Sequence, residues 1–152
     1  MPIEDVHGDP LTILLVEDNL PHAELVKRSL ATHEIVNKIY HVSDGEAALA
    51  YLFRQGVYAD PATSPRPHVV LLDLRLPKVS GLDVLREIKT SNDLRTIPVV
   101  ILTTSTAERD VVSAYAQHAN SYLVKPVDFV VFTRMMHDLG LYWLLWNYHP
   151  PS

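Results

Sequence analysis

Four apolar runs in this chain each end in a residue able to do phosphate or metal chemistry. Glu17-Asp18-Asn19 follows "TILLV", Asp73 follows "HVVLL", Thr103-Thr104-Ser105 closes "PVVILT", and Lys125-Pro126 follows "SYLV". A single such residue has an ordinary explanation. Asp18 or Asn19 would cap a helix opening at Pro21, Asp73 would form a turn, and Lys125 would reach from a strand end into water. Taken together, three carboxylates, a hydroxyl and an ammonium define one chemistry. Glu17, Asp18 and Asp73, if close, repel one another unless a cation neutralises them. A set of hard oxygen donors with no thiolate or imidazole favours Mg²⁺. A carboxylate beside Mg²⁺ is a nucleophile toward phosphorus, giving an aspartyl phosphate. Lys125 and the Thr103 hydroxyl are the groups suited to the charge and hydrogen-bonding needs of the phosphoryl oxygens.

These residues need a scaffold that gathers strand ends. The runs Thr12–Val16, Ile39–Val42, His68–Leu72, Pro98–Thr103 and Ser121–Val124 read as five strands. Between them, 21–31, 44–56, 81–91 and 107–119 carry apolar residues at helical spacing, for example Ala23, Val26 and Leu30, or Leu82, Leu85 and Ile88. A fifth helix is predicted from about Asp128. Strand alternating with helix implies a doubly wound parallel α/β sheet covered on both faces, with its ligand site outside the carboxyl ends of the strands. The stretch from Gly56 to Pro67, with three prolines, reads as a connector.

Composition excludes several alternatives. With 152 residues, 47% of them hydrophobic, the chain suits one globular unit with a substantial core. The absence of cysteine removes disulfides and thiol chemistry and is compatible with a cytoplasmic location. A net charge of −5, with no basic cluster beyond Lys27-Arg28, argues against nucleic-acid binding. The eight histidines form no HExxH or other close pair of the kind that holds a metal on one helix face. Residues 1–10 lack the apolar core of a signal peptide and read as a flexible lead-in, residues 11–139 as the domain, and 140–152 as an aromatic tail.

The motifs "ILLVEDN", "VVLLDLRLPKVSG", "VVILTT" and "YLVKP" occur in an order and spacing that resembles the response-regulator receiver domains of two-component signalling, over about Leu11 to Leu139. The resemblance implies a flavodoxin-like sheet in the order 2-1-3-4-5 with five helices. It also implies that Asp73 accepts phosphate from a phosphohistidine of a sensor histidine kinase. Asp18, Asp73 and the Arg75 carbonyl would bind Mg²⁺, with Glu17 acting through metal-bound water. Thr103 and Lys125 would contact the phosphoryl oxygens, Lys125–Pro126 would be cis, and Tyr122 would turn inward as Thr103 is drawn to the phosphate. Arg75 departs from the smaller residues common at its position and bears on the lifetime of the phosphorylated state. The implied role is phosphoacceptor signalling with slow self-dephosphorylation, in place of enzymatic turnover. The insertion "GVYADPATSPRP" and the aromatic tail resemble small regulators that serve bacterial and cyanobacterial phytochromes.

Two other readings use the same residues. A phosphatase of the haloacid dehalogenase type needs a second acid two residues after the nucleophile, where this chain has Arg75. A phosphorylation-independent scaffold would not need the full set of acids, Thr103 and Lys125. With no effector region after the receiver, output is expected through a downstream protein or a further phosphotransfer partner. A spacing of three and four links Phe129, Phe132, Met136, Leu139, Trp143 and Trp146. Together with Tyr142, which lies outside that stripe, Phe129, Phe132, Met136, Trp143 and Trp146 predict a homodimer interface, since a monomer would leave a large apolar patch in water; the alternative is a tail folded back on its own domain. Arg134, His137 and Asp138 interrupt the stretch, which argues against a membrane span.

Overall fold

A computed structural model of the chain describes residues 11–31, 37–103 and 118–140. Five parallel strands form one sheet: β1 (Leu11–Val16), β2 (Asn37–Val42), β3 (Val69–Asp73), β4 (Val99–Thr103) and β5 (Ser121–Val124). Their order is β2-β1-β3-β4-β5, as the resemblance implied. Among the described residues four α-helices accompany them: α1 (Leu20–Ala31), α2 (Gly45–Leu52), α3 (Gly81–Thr90) and α4 (Phe129–Asp138). The helix expected over 107–119 falls largely outside the described residues.

The strands read as continuous apolar runs because both sheet faces are covered. Successive side chains point to opposite faces, so each strand feeds two cores. Ile13, Leu15, Val69, Leu71, Val100 and Leu102 join Ala23, Val26 and Leu30 of α1 and Phe132, Met135 and Met136 of α4. On the other face Leu14, Val16, Val70, Leu72, Val99 and Ile101 meet Ala48 and Leu52 of α2 and Val84, Leu85 and Ile88 of α3. The buried stripe of α3 runs through Val84 rather than Leu82, which is only partly buried.

Local signals set the helix starts. Asn19 caps α1, its Oδ1 accepting from the His22 N–H at 3.0 Å, and Pro21 fits the first turn, where no helical partner awaits an N–H. Asp44, Ser80 and Asp128 cap the other three helices in the same way.

The stretch from Gly56 to Pro67 is more than a connector. It opens with a single 3-10 turn, Gly56–Tyr58. Tyr51, buried at the end of α2, donates its hydroxyl to the Pro65 carbonyl at 2.7 Å. The Tyr51 ring also stacks at a tilt between Tyr40 and Tyr58, with centroids 5.9 and 5.4 Å away.

The register places the strand exits side by side. Val16 pairs with Leu72, so Glu17 and Asp73 leave neighbouring strands together. Thr103 pairs with Val124, so Lys125 follows beside it, its N–H donating to the Thr103 carbonyl at 2.7 Å. The turn after Asp73 folds back over the strand end at Gly81, whose N–H donates to the Leu74 carbonyl. A Cβ on Gly81 would lie 2.4 Å from Leu74 Cα and 2.5 Å from the Asp73 carbonyl oxygen. Gly81→Ala is therefore expected to lower stability by roughly 1–3 kcal/mol, the range for forcing an added methyl into packed surroundings. Urea unfolding measures it, and a wild-type midpoint would show that the turn is able to back away from the strand.

Candidate functional site

The side chains that leave β1, β3, β4 and β5 line one cleft of about 200 Å³, formed by Glu17, Asp18, Asn19, His22, Asp73, Arg75, Leu102, Thr103 and Lys125. Glu17 is fully buried and Asp73 nearly so, at 0% and 9% exposed, while Asp18 stands at the solvent edge. Thr103 is buried at the end of β4. Tyr122, on β5, is half-buried and packs against the core shared by α2 and α3.

Lys125 supplies the positive charge among these acids. Its Nζ lies 2.6 Å from Glu17 Oε1 and 3.0 Å from Asp73 Oδ2. Asp73 Oδ1 accepts from the Arg75 N–H at 3.0 Å, and Glu17 Oε2 from the Asn19 N–H at 3.2 Å. The His41 ring lies behind β1, where Nε2 donates to the Glu17 carbonyl at 2.7 Å. Lys125–Pro126 is a cis peptide.

These contacts divide the proton affinities. Burial pushes the Glu17 carboxyl up to about 7, helped by the hydrogen bond and charge it shares with Asp73 and opposed by Lys125. Asp73 is also penalised by burial, but the bonds from Glu17, the Arg75 N–H and Lys125 outweigh that and hold it below its usual range. Burial works against the Lys125 charge too, and the two carboxylates more than offset it.

Glu17, Asp18 and Asp73 each offer an oxygen within 4.8 Å of the others, with no histidine or cysteine in the group. Glu17 Oε1 is sealed from solvent, and its ion-pair contact with Lys125 lacks hydrogen-bond direction, so the oxygen is without a hydrogen-bond partner. An all-oxygen set with a buried acceptor to spare fits a hard divalent cation.

Of the residues read for a dimer, Phe132 and Met136 lie inside the chain's own core at 0% exposed, and Phe129 is partly buried against it. Phe132 and Met136 of α4 pack on the chain's own sheet and have no surface for a partner, which corrects the expectation for these two residues. The outward side chains of this helix include Val130 and Val131, at 61% and 43% exposed. Tyr142, Trp143 and Trp146 lie outside the described residues. His22 is the site residue that sequence reasoning missed. Its signal in the sequence is its position five residues after Glu17, on the first turn of α1.

The family model for the response regulator receiver domain matches residues 13–137. The chain belongs to the response regulator receiver domain family. Among relatives of this receiver domain, the probable methanogenesis regulatory protein FilR2 of Methanothrix harundinacea is 48% identical over 143 residues, spanning 93% of this chain and 89% of the relative. Response regulator Rcp1 of Synechocystis sp. is 43% identical over 93% of this chain and 95% of its own length. The solved structure of the bacteriophytochrome response regulator AtBRR is 45% identical, covers 91% of this chain and 99% of that one, and gives a TM-score of 0.80.

The raised Glu17 affinity makes the metal-free receiver domain sensitive to pH. Between the ordinary carboxyl value of 4.5 and the folded value of about 7, the folded chain holds a proton that the unfolded chain has released. This contribution to stability is complete below the lower value and is lost as pH rises through the higher one. Asp73 acts in a separate, lower window, because its affinity shifts the other way. The unfolding free energy of metal-free protein is expected to fall between about pH 5 and about pH 8 by at most about 3 kcal/mol. Glu17→Gln should flatten that slope, and an unchanged slope in this variant would assign the titration to another group.

Proposed function

We propose that the chain is a response regulator that accepts a phosphoryl group onto Asp73 from the phosphohistidine of a sensor histidine kinase. The observation that carries this reading is a buried Asp73 at a strand end, 3.0 Å from Lys125 Nζ and beside Glu17 and Asp18. In the reaction an Asp73 carboxylate oxygen forms the new bond to phosphorus as the bond from phosphorus to the imidazole nitrogen breaks. The Arg75 N–H holds the other carboxylate oxygen and so orients the nucleophile. Lys125 and the Thr103 hydroxyl stabilise charge on the transferred oxygens. Glu17, Asp18, Asp73 and the Arg75 carbonyl are the groups that would hold Mg²⁺, which supplies charge neutralisation for the carboxylates and the phosphoryl group.

Two residues after Asp73 stands Arg75, which cannot protonate an alkoxide leaving group, and this favours a phosphoacceptor over a phosphatase. Thr103 and Tyr122 form the proposed switch, on the neighbouring strands β4 and β5. The names of two solved structures similar to this chain, the bacteriophytochrome response regulator AtBRR and the cyanobacterial phytochrome response regulator RcpA, support a kinase of the phytochrome type as donor. FilR2, of similar identity, is named for methanogenesis, so a phosphotransfer profile across candidate kinases decides the donor. Among the described residues no helix is long and apolar enough to cross a membrane, and the reading places the protein in the cytoplasm, with output through protein contacts or a further phosphotransfer. The apolar content of 141–152 and the exposed Val130 and Val131 support a homodimer in which the tail takes part.

Asp73→Asn is expected to keep the fold and abolish phosphorylation, since it removes the nucleophile and leaves the shape. Intact mass after treatment with acetyl phosphate and Mg²⁺ should show one added phosphoryl group in the wild type and none in the variant. A wild type that takes up none would favour the scaffold reading. Deleting Leu141 to Ser152 should turn dimers into monomers that still accept phosphate. Light scattering on both proteins checks this, and a full-length monomer at tens of micromolar would remove the dimer.

A further inference from the structure

Lys125 carries three ammonium protons, and three partners surround them. Beyond Glu17 Oε1 at 2.6 Å and Asp73 Oδ2 at 3.0 Å, Nζ lies 3.3 Å from Nδ1 of His22. The scheme of phosphotransfer leaves this half-buried imidazole without a task. A lysine ammonium has donors only, so Nδ1 accepts in this contact and the ring proton sits on Nε2. The ring stands on a braced turn, since the His22 backbone N–H is bound to the Asn19 cap at 3.0 Å. His22 and Lys125 line both the acidic cleft and an adjoining groove of about 190 Å³, completed by Leu25, Val26 and Pro126. Their contact is therefore part of the wall between the two.

The other two partners of Lys125 are acids that a cation in the cleft would also engage. A cation competes with the ammonium for the Glu17 and Asp73 oxygens, and lysine hangs on a flexible four-carbon stem with many other rotamers. An uncharged acceptor outside the acid cluster does not enter that competition. We propose that His22 is a positioning residue for phosphotransfer, its Nδ1 holding the Lys125 ammonium at Asp73 while the acids are engaged with a cation. This inference rests on the reading of Asp73 as the phosphoacceptor. It differs from a role in kinase recognition, because it acts through Lys125 and applies to any phosphodonor.

The test uses acetyl phosphate with Mg²⁺ on the full chain, a donor too small to need a docking surface on α1. His22→Ala is expected to slow the initial rate of phosphorylation roughly fivefold, the scale of one modest hydrogen bond. In asparagine the amide oxygen hangs on Cγ as Nδ1 does in histidine, so His22→Asn should recover the rate to within about twofold of wild type. His22→Gln, whose acceptor is one bond farther out, should remain slow. A wild-type rate in His22→Ala, or a His22→Asn variant as slow as His22→Ala, overturns the proposal. The contact is also read without phosphate, from proton exchange of the Lys125 ammonium in protein labelled with ¹⁵N-lysine. Exchange should quicken roughly fivefold in His22→Ala and return toward wild type in His22→Asn, and unchanged exchange overturns the proposal as well. Failure of wild-type protein to take phosphate at Asp73 would sink the functional reading itself, and the ammonium exchange then decides the His22 contact alone.

Discussion

Two carboxyl groups that water would normally keep apart are buried side by side at the ends of β1 and β3, and much of the remaining architecture serves that placement. Glu17 and Asp73 follow the paired residues Val16 and Leu72, so the parallel register itself sets their proximity. The charge of such a pair is tolerated only with a cation or a shared proton. Lys125 meets the first need from β5, and the raised affinity of Glu17 reflects the second.

That arrangement requires a rigid platform, which the two cores provide. Each central strand is buried on both faces, so its ends have little freedom to separate and relax the repulsion. The turn after Asp73 is drawn tight over the strand end, as the close approach at Gly81 shows, and it brings the Arg75 N–H onto the carboxylate. Backbone donors from Arg75 and Asn19 then hold one oxygen of each acid. The remaining oxygens face Lys125 and the cleft, where a ligand would meet them. A site built this way is organised before any ligand arrives, which is what phosphoryl transfer asks of a protein.

The periphery is less uniform. The Tyr40, Tyr51 and Tyr58 rings bind the long segment before β3 to α2 and β2, and His41 of the same edge strand reaches the Glu17 carbonyl. A chain of contacts thus runs from that segment to the backbone of the acid pair. On the opposite side α4 commits its inner stripe to the core, and what it offers to a partner is a narrower surface around Val130 and Val131.

The sequence by itself determined the alternation of strands and helices, the caps, and the set of residues at the strand exits, because periodicity and local hydrogen bonding are written in neighbouring residues. Glu17, Asp18, Asp73, Thr103 and Lys125 were legible for the same reason, each standing at the end of an apolar run. Tertiary structure decided the rest. The stripe containing Phe132 and Met136 was visible as a stripe, but periodicity does not say whether a stripe meets its own sheet or another chain. The connector after α2 became a packed element through rings carried by β2, α2 and the connector itself. The contact of His22 with Lys125 joins residues 103 positions apart, and only strand order, register and the seating of α1 together bring that ring to the ammonium.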